Sequence, residues 1–252
     1  INKSRLIQLK MVFFMSKAKV IVVNIHKGGT GKSTTVINLA IEAAYRGMRV
    51  AVIDGDPTQT SVTHFNDRNN EIQEREKVGG DSKIPFIKAE YHAPETNIRP
   101  IVVELKRDYD LILIDTQGGQ GLLFKSVIQI ADCILIPVQT DIKAMRQLGP
   151  TLEVIAGVEE NIQLNPGWED YTVDVRILFN QAKRGTKAHS SALEMARELK
   201  NSLTFCKTII PDIQEMRNFD SAIRGLGLSD IKHPKRACYQ LLLDELMEDI
   251  HE

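Results

Sequence analysis

Short runs of apolar, largely β-branched residues recur along the chain, separated by longer stretches in which apolar residues return every third or fourth position. The runs at Lys19–Ile25, Arg49–Ile53, Ile84–Lys88, Leu111–Ile114, Cys133–Pro137, Val173–Phe179 and Thr208–Ile210 read as strands. In most of them consecutive side chains are all apolar (Val20-Ile-Val-Val, Ala51-Val-Ile, Leu111-Ile-Leu-Ile, Ile134-Leu-Ile), the pattern of strands covered by helices on both faces. Helices are predicted near residues 32–46, 96–107, 121–131, 141–159, 188–201, 214–225 and 235–250. Strand and helix alternating in this way imply right-handed crossovers. The fold class is therefore α/β, a doubly wound and mostly parallel sheet flanked by helices. The polar stretch from Asn66 to Asp81 reads as a solvated helix or loop outside that core.

Composition narrows the class without naming a chemistry. With 42% hydrophobic and 26% charged residues among 252, the chain is an ordinary globular one. Its formal charge of −1, from 32 basic and 33 acidic residues, announces no polyanionic partner, so any nucleic-acid surface must be a local patch. Cys133, Cys206 and Cys238 are odd in number, widely spaced and without a CxxC pair, which argues against a disulfide framework or zinc ribbon and for a reducing compartment. The longest apolar candidate for a membrane span, Val127 to Val138, is short and broken by Asp132. Lys3, Arg5 and Lys10 precede only a brief Met-Val-Phe-Phe run, so residues 1–16 are read as an N-terminal extension and 17–252 as one domain.

The chemistry concentrates at the end of the first strand, where Lys27-Gly-Gly-Thr-Gly-Lys-Ser-Thr34 leads into a helix. Gly28, Gly29 and Gly31 allow backbone angles that turn several N–H groups to one centre. The following helix N-terminus adds partial positive charge, so the loop cradles phosphate. Lys32 then faces the β/γ oxygens, and the Ser33 hydroxyl is a magnesium ligand. The general pattern G-x-x-x-x-G-K-[ST] fails at its first position, where His26 stands. Two further strands end in carboxylates: Asp54-Gly-Asp56-Pro after the second, and Asp115-Thr-Gln-Gly-Gly119 after Leu111-Ile-Leu-Ile114. Strand ends in such sheets open onto the ligand crevice.

Lys27-Gly-Gly-Thr-Gly-Lys-Ser resembles the deviant Walker A motif of the ParA/MinD family of ATPases, and the resemblance extends over about residues 18–245. It implies that the cofactors are ATP and Mg²⁺, bound by residues 27–34. It also implies that Lys27 reaches across a dimer interface to the partner's nucleotide. The family carries D-x-D-P with its second Asp 24 residues after the Walker lysine, and Asp56 stands 24 after Lys32. By that likeness Asp56 orients the attacking water, Asp54 supports the magnesium shell and Asp115 is the Walker B carboxylate. Asn180, following Phe179, resembles the adenine-reading residue, and Pro211-Asp212 the other adenine-side loop. Gln117 stands where the family usually has proline or alanine.

The resemblance also implies partners: a second copy in an ATP-dependent homodimer, non-specific DNA, and an activating protein of ParB or relaxosome type. Residues 171–243 hold 12 Lys/Arg against 7 Asp/Glu, and Lys183, Arg184, Lys187, Arg217, Lys235 and Arg236 are the candidate DNA contacts. The last helix ends acidic, which disfavours a MinD-like anchor on anionic lipid. Plasmid or chromosome partition at the nucleoid is the expected role. The alternatives are help to conjugative DNA transfer, as in VirC-type ATPases with which Asp115-Thr-Gln-Gly-Gly is shared, MinD-like positioning, and a synthetase of the dethiobiotin type. The scattered histidines form no ligand set.

Overall fold

The computed structural model describes residues 18–26, 28–77, 84–119, 121–213 and 226–248. The extension 1–16, the expected helix at 214–225, Lys27 and Arg217 lie outside the described residues. Seven strands, β1 (Lys19–Val23), β2 (Val50–Gly55), β3 (Lys88–Tyr91), β4 (Leu111–Thr116), β5 (Cys133–Gln139), β6 (Val175–Ala182) and β7 (Thr204–Pro211), form one sheet in the order β3-β2-β4-β1-β5-β6-β7. Every pairing is parallel. The helices are α1 (Lys32–Tyr45), α2 (Thr60–Lys77), α3 (Arg99–Leu105), α4 (Leu122–Ile128), α5 (Ile142–Met145), α6 (Leu148–Gln163), α7 (Lys187–Leu199) and α8 (Ala237–Met247).

The side-chain period of the strands divides the core into two layers. Val20, Val22, Ile112 and Ile114 face α3, α4, α6 and α7, whereas Ile21, Val23, Leu111 and Leu113 face α1, α2 and α8. All eight are fully buried, as the unbroken apolar runs require. β1 lies between β4 and β5, and the chain leaves it in one direction and crosses back over it later. That reversal opens a crevice at the carboxyl end of β1, where the glycine-rich loop emerges.

Three sequence expectations shift. β3 begins where the expected strand ends, because only Ile87 of that run is buried and the half-buried residues after it pair with β2. The single helix expected over 141–159 is two, α5 and α6. Asp141 caps the first, its carboxylate accepting from the Ala144 amide at 2.8 Å, and Pro150 sits in the first turn of the second, where a missing N–H does no harm. The polar stretch beginning at Asn66 belongs to α2, an eighteen-residue helix whose buried face is Ser61, Phe65, Arg68 and Ile72, spaced i, i+4, i+7, i+11.

Arg68 enters the interior because its charge is fully met. Its Nε and Nη2 donate to the two oxygens of Asp230 at 3.0 and 2.9 Å, and Nη1 donates to the Pro85 carbonyl. Both side chains are 0% exposed. Asp230 also accepts from the Tyr45 hydroxyl and the Gly227 amide, so one carboxylate joins α1, α2 and the segment leading to α8.

Candidate nucleotide and metal site

The loop after β1 is held from two sides. The His26 amide donates to the Thr151 hydroxyl of α6 at 3.1 Å. Asn180, inside β6 two residues before its end, donates from Nδ2 to the Thr30 carbonyl at 2.8 Å, and its Oδ1 accepts the Gln181 amide. Gly31 stands at φ +87°, and a Cβ there would lie 2.4 Å from Asn180 Nδ2, so both backbone angle and close approach require glycine. Lys32 and Thr30 are buried, Ser33 and Thr34 half-buried, and Gly28 and Gly29 exposed.

The carboxylates sit where the strand ends predict. Asp54 and Asp115 are directly paired across β2 and β4, and both are fully buried. Asp54 holds the start of α2: Oδ1 accepts the Asp56 amide at 3.0 Å and Oδ2 the Val62 amide at 3.0 Å. Both of its oxygens are thus engaged by backbone amides. Burial raises its pKa, and the Asp56, Val62 and Ser61 backbone amides pull it back. Asp56 is half-buried in a tight turn, its Oδ1 accepting from the Thr58 amide and hydroxyl.

Asp115 differs. Oδ2 accepts the Ser61 hydroxyl at 2.6 Å, but Oδ1 has no hydrogen-bond partner among the described residues. Burial lifts its pKa to about 6; the Ser61 and Ser33 hydroxyls and the Lys32 ammonium oppose that rise, and Asp54 adds to it. A buried carboxylate oxygen left open beside a hydroxyl and an ammonium fits a hydrated magnesium ion, which takes one or two carboxylates and completes its shell with phosphates and water. Among the described residues no group of three or more His, Cys, Asp or Glu could hold a metal.

The loop after Asp115 lies directly on the phosphate loop. Gly118 stands at φ +87°, and a Cβ on it would meet the Ile25 carbonyl oxygen at 2.4 Å. Beneath it the fully buried Asn24 amide, with neither polar atom paired among the described residues, borders a cavity of about 20 Å³ with Thr116, Gln117 and Gly118. Ser61 and Asn24 were not among the sequence-based candidates.

A family model described as ATPase MipZ matches residues 19–150, just over half of the chain. The chain belongs to the ParA/MinD family of deviant Walker A ATPases. Among relatives of this family, the chromosome partitioning protein ParA of Myxococcus xanthus is 27% identical over 91% of this chain and 88% of its own length. The sporulation initiation inhibitor protein Soj of Bacillus subtilis is 28% identical over 57% of this chain and 67% of its own. The solved MinD cell division protein of Aquifex aeolicus superposes with a TM-score of 0.67 at 22% identity, covering 92% of this chain and 98% of that one. An ATP complex of a Cyanothece McdA variant gives 0.67 at 16% identity, over 94% and 100%. These structures share the seven-stranded, helix-flanked fold of the ParA/MinD family.

The remaining candidates of this ParA/MinD-type chain fall at the other end of the crevice and at the sheet edge. Pro211 pairs with Ala182, and the Asp212 amide donates to the Ala182 carbonyl, so Pro211-Asp212 lie close to Asn180 in the fold. The Asn180 Nδ2 gives one hydrogen to the Thr30 carbonyl and its other lies 3.5 Å from the Thr35 hydroxyl, a long bond that a base contact could replace. Lys183, Arg184, Lys187 and Lys235 are exposed and Arg236 is half-buried. Arg184 and Lys235, far apart in sequence, meet with Lys207 around a groove of about 590 Å³ between β7 and α8, which Asp244, Glu245 and Glu248 also line. None of the described helices is long and apolar enough to cross a membrane.

Proposed function

We propose that this chain binds Mg·ATP at residues 27–34, pairs face to face with a second copy with the nucleotides between them, and in that state binds DNA without sequence preference. Hydrolysis, slow alone and stimulated by a partner protein, ends that state and drives plasmid or chromosome partition at the nucleoid. The observation that carries the reading is the open, buried oxygen of Asp115 beside Ser33 and Lys32, at the end of the strand paired with β1.

In this reading Ser33 and Asp115 hold magnesium, which would neutralise charge on the β- and γ-phosphates. Lys32 stabilises charge on the transferring phosphoryl group, and Asp56 positions the water. Lys27 is assigned to the partner's nucleotide from the motif alone. Partition and positioning roles occur in the family, represented by ParA of Myxococcus xanthus and by the carboxysome distribution protein of Synechococcus elongatus at 24% identity, and this chemistry would serve either. The exposed Lys183, Arg184 and Lys187 just after β6 support the DNA-binding form, whereas the groove shared by Arg184, Lys207 and Lys235 holds as many acids as bases. Help to conjugative transfer would use the same steps on another cargo.

The test is binding to random duplex DNA at two salt concentrations, with ATP, with ADP, and for Asp56→Ala with ATP. Binding that needs ATP, weakens with salt and persists in the variant is the expected result. DNA binding in no nucleotide state would move the positioning role ahead.

A further inference from the structure

The start of α2 is over-determined. The Asp54 carboxylate grips the Asp56 and Val62 amides, so the backbone on either side of Ser61 is fixed to the end of β2. Ser61 itself is 0% exposed, the first member of the face that continues through Phe65, Arg68 and Ile72. Its hydroxyl has one described acceptor, Asp115 Oδ2, at 2.6 Å, the short separation of a charge-assisted hydrogen bond.

This arrangement fixes how Asp115 is presented. A free carboxylate rotates about its last bond and exchanges its two oxygens. Here one oxygen is pinned by a hydroxyl whose own position is set by Asp54, and the other is left as the open acceptor. Hydrogen-bonded partners behind a metal-binding carboxylate orient it and tune its basicity. We propose that Ser61 is a positioning residue of the magnesium site: its hydroxyl holds Asp115 so that Oδ1 alone faces the metal, and Asp54 acts on the metal through Ser61. The inference rests on the nucleotide reading above and adds to it a residue outside the phosphate loop and the two acidic strand ends.

The experiment is calorimetric titration of ADP into the purified full chain, with excess Mg²⁺ and with EDTA, for the unaltered protein, Ser61→Ala and Ser61→Thr. Removing a group behind a metal ligand typically lowers metal affinity about 10- to 100-fold. Ser61→Ala is therefore expected to lose at least about 10-fold of the Mg²⁺-dependent gain in ADP affinity, while its affinity in EDTA stays unchanged. Ser61→Thr, which keeps the hydroxyl, restores the gain. A thermal melt of each variant separates this from misfolding. Equal loss of affinity with and without Mg²⁺ would mean that Ser61 only supports the fold, and would overturn the proposal. So would an unchanged Mg²⁺ response in Ser61→Ala, or loss of the response in a well-folded Ser61→Thr. Failure of the unaltered protein to bind ADP at all would overturn the nucleotide reading, and this inference with it.

Discussion

Helix α2 touches two buried carboxylates, and they are satisfied in opposite ways. Near its start Ser61 reaches Asp115, which keeps one oxygen without a described partner and whose pKa is lifted to about 6 by burial. Two turns on, Arg68 grips Asp230, whose oxygens accept from the guanidinium, the Tyr45 hydroxyl and the Gly227 amide. Both acids lie inside the protein, but only the first is incomplete. An incomplete buried charge raises the free energy of the fold and is tolerated where a ligand will finish the site. A complete one joins elements and has no capacity left for chemistry.

The contrast predicts opposite responses to similar substitutions. Asp230→Ala strands the Arg68 guanidinium and should destabilise the fold by about 3–5 kcal/mol in chemical denaturation. A paired Arg68→Met, Asp230→Leu change should recover most of that loss. A single substitution with almost no effect would remove the distinction between the two ends.

His64 probes the same closed end. Burial, then the nearby Arg68 charge, depress its pKa to about 4, against weaker opposition from Asp230 and Asp67. Between the ordinary value near 6.5 and about 4, the unfolded chain takes up a proton that the folded chain refuses. The His64 contribution to stability should therefore fall by about 3 kcal/mol as pH falls through that window, opposed by the raised pKa of Asp115, which acts with the opposite sign. His64→Gln should lack this contribution, so the difference between the two pH profiles carries it. Denaturation curves at several pH values for both proteins isolate the term.

At the open end the sign reverses. Asp115→Asn removes a charge that burial disfavours, and should raise the stability of the nucleotide-free protein at pH 8 by about 1–3 kcal/mol. The same change should erase the Mg²⁺ response of ADP binding. A marked loss of stability would show that Asp115 is as structurally complete as Asp230. A further effect is expected at Gly118, where alanine must adopt φ +87° and its Cβ would meet the Ile25 carbonyl oxygen at 2.4 Å, so the backbone itself must shift. About 2–4 kcal/mol of destabilisation, read from a melting curve, should accompany the combined strain and overpacking.

The legibility of the two ends follows from how each is encoded. The phosphate loop is contiguous, and its glycines, lysine and serine state their chemistry in eight residues. Asp54, Asp56 and Asp115 were legible because each ends an apolar strand, and strand ends in a parallel sheet meet at one edge. Ser61 and Arg68 were not. α2 buries only a narrow face, and half of the four residues on it, Ser61 and Arg68, are polar, so its stretch reads as solvated when apolar residues alone are counted. The spacing of seven between Ser61 and Arg68 was visible, but nothing local says that Asp115 and Asp230 await them. Asn180 falls between these cases. It was expected just after a strand ending at Phe179 and instead lies inside β6, and its bond to Thr30 depends on how closely Gly31 allows the two backbones to approach.

The sequence by itself therefore determined the fold class, the phosphate loop and the acidic strand ends, because apolar periodicity and backbone freedom at glycine act over a few neighbouring residues. Only the tertiary structure decided which buried carboxylate is complete and which stands open, and that Arg184, Lys207 and Lys235 share one groove. Satisfaction of a buried charge depends on donors brought from distant segments. Asp115 meets Ser61 from 54 positions away, and Asp230 meets Arg68 from 162.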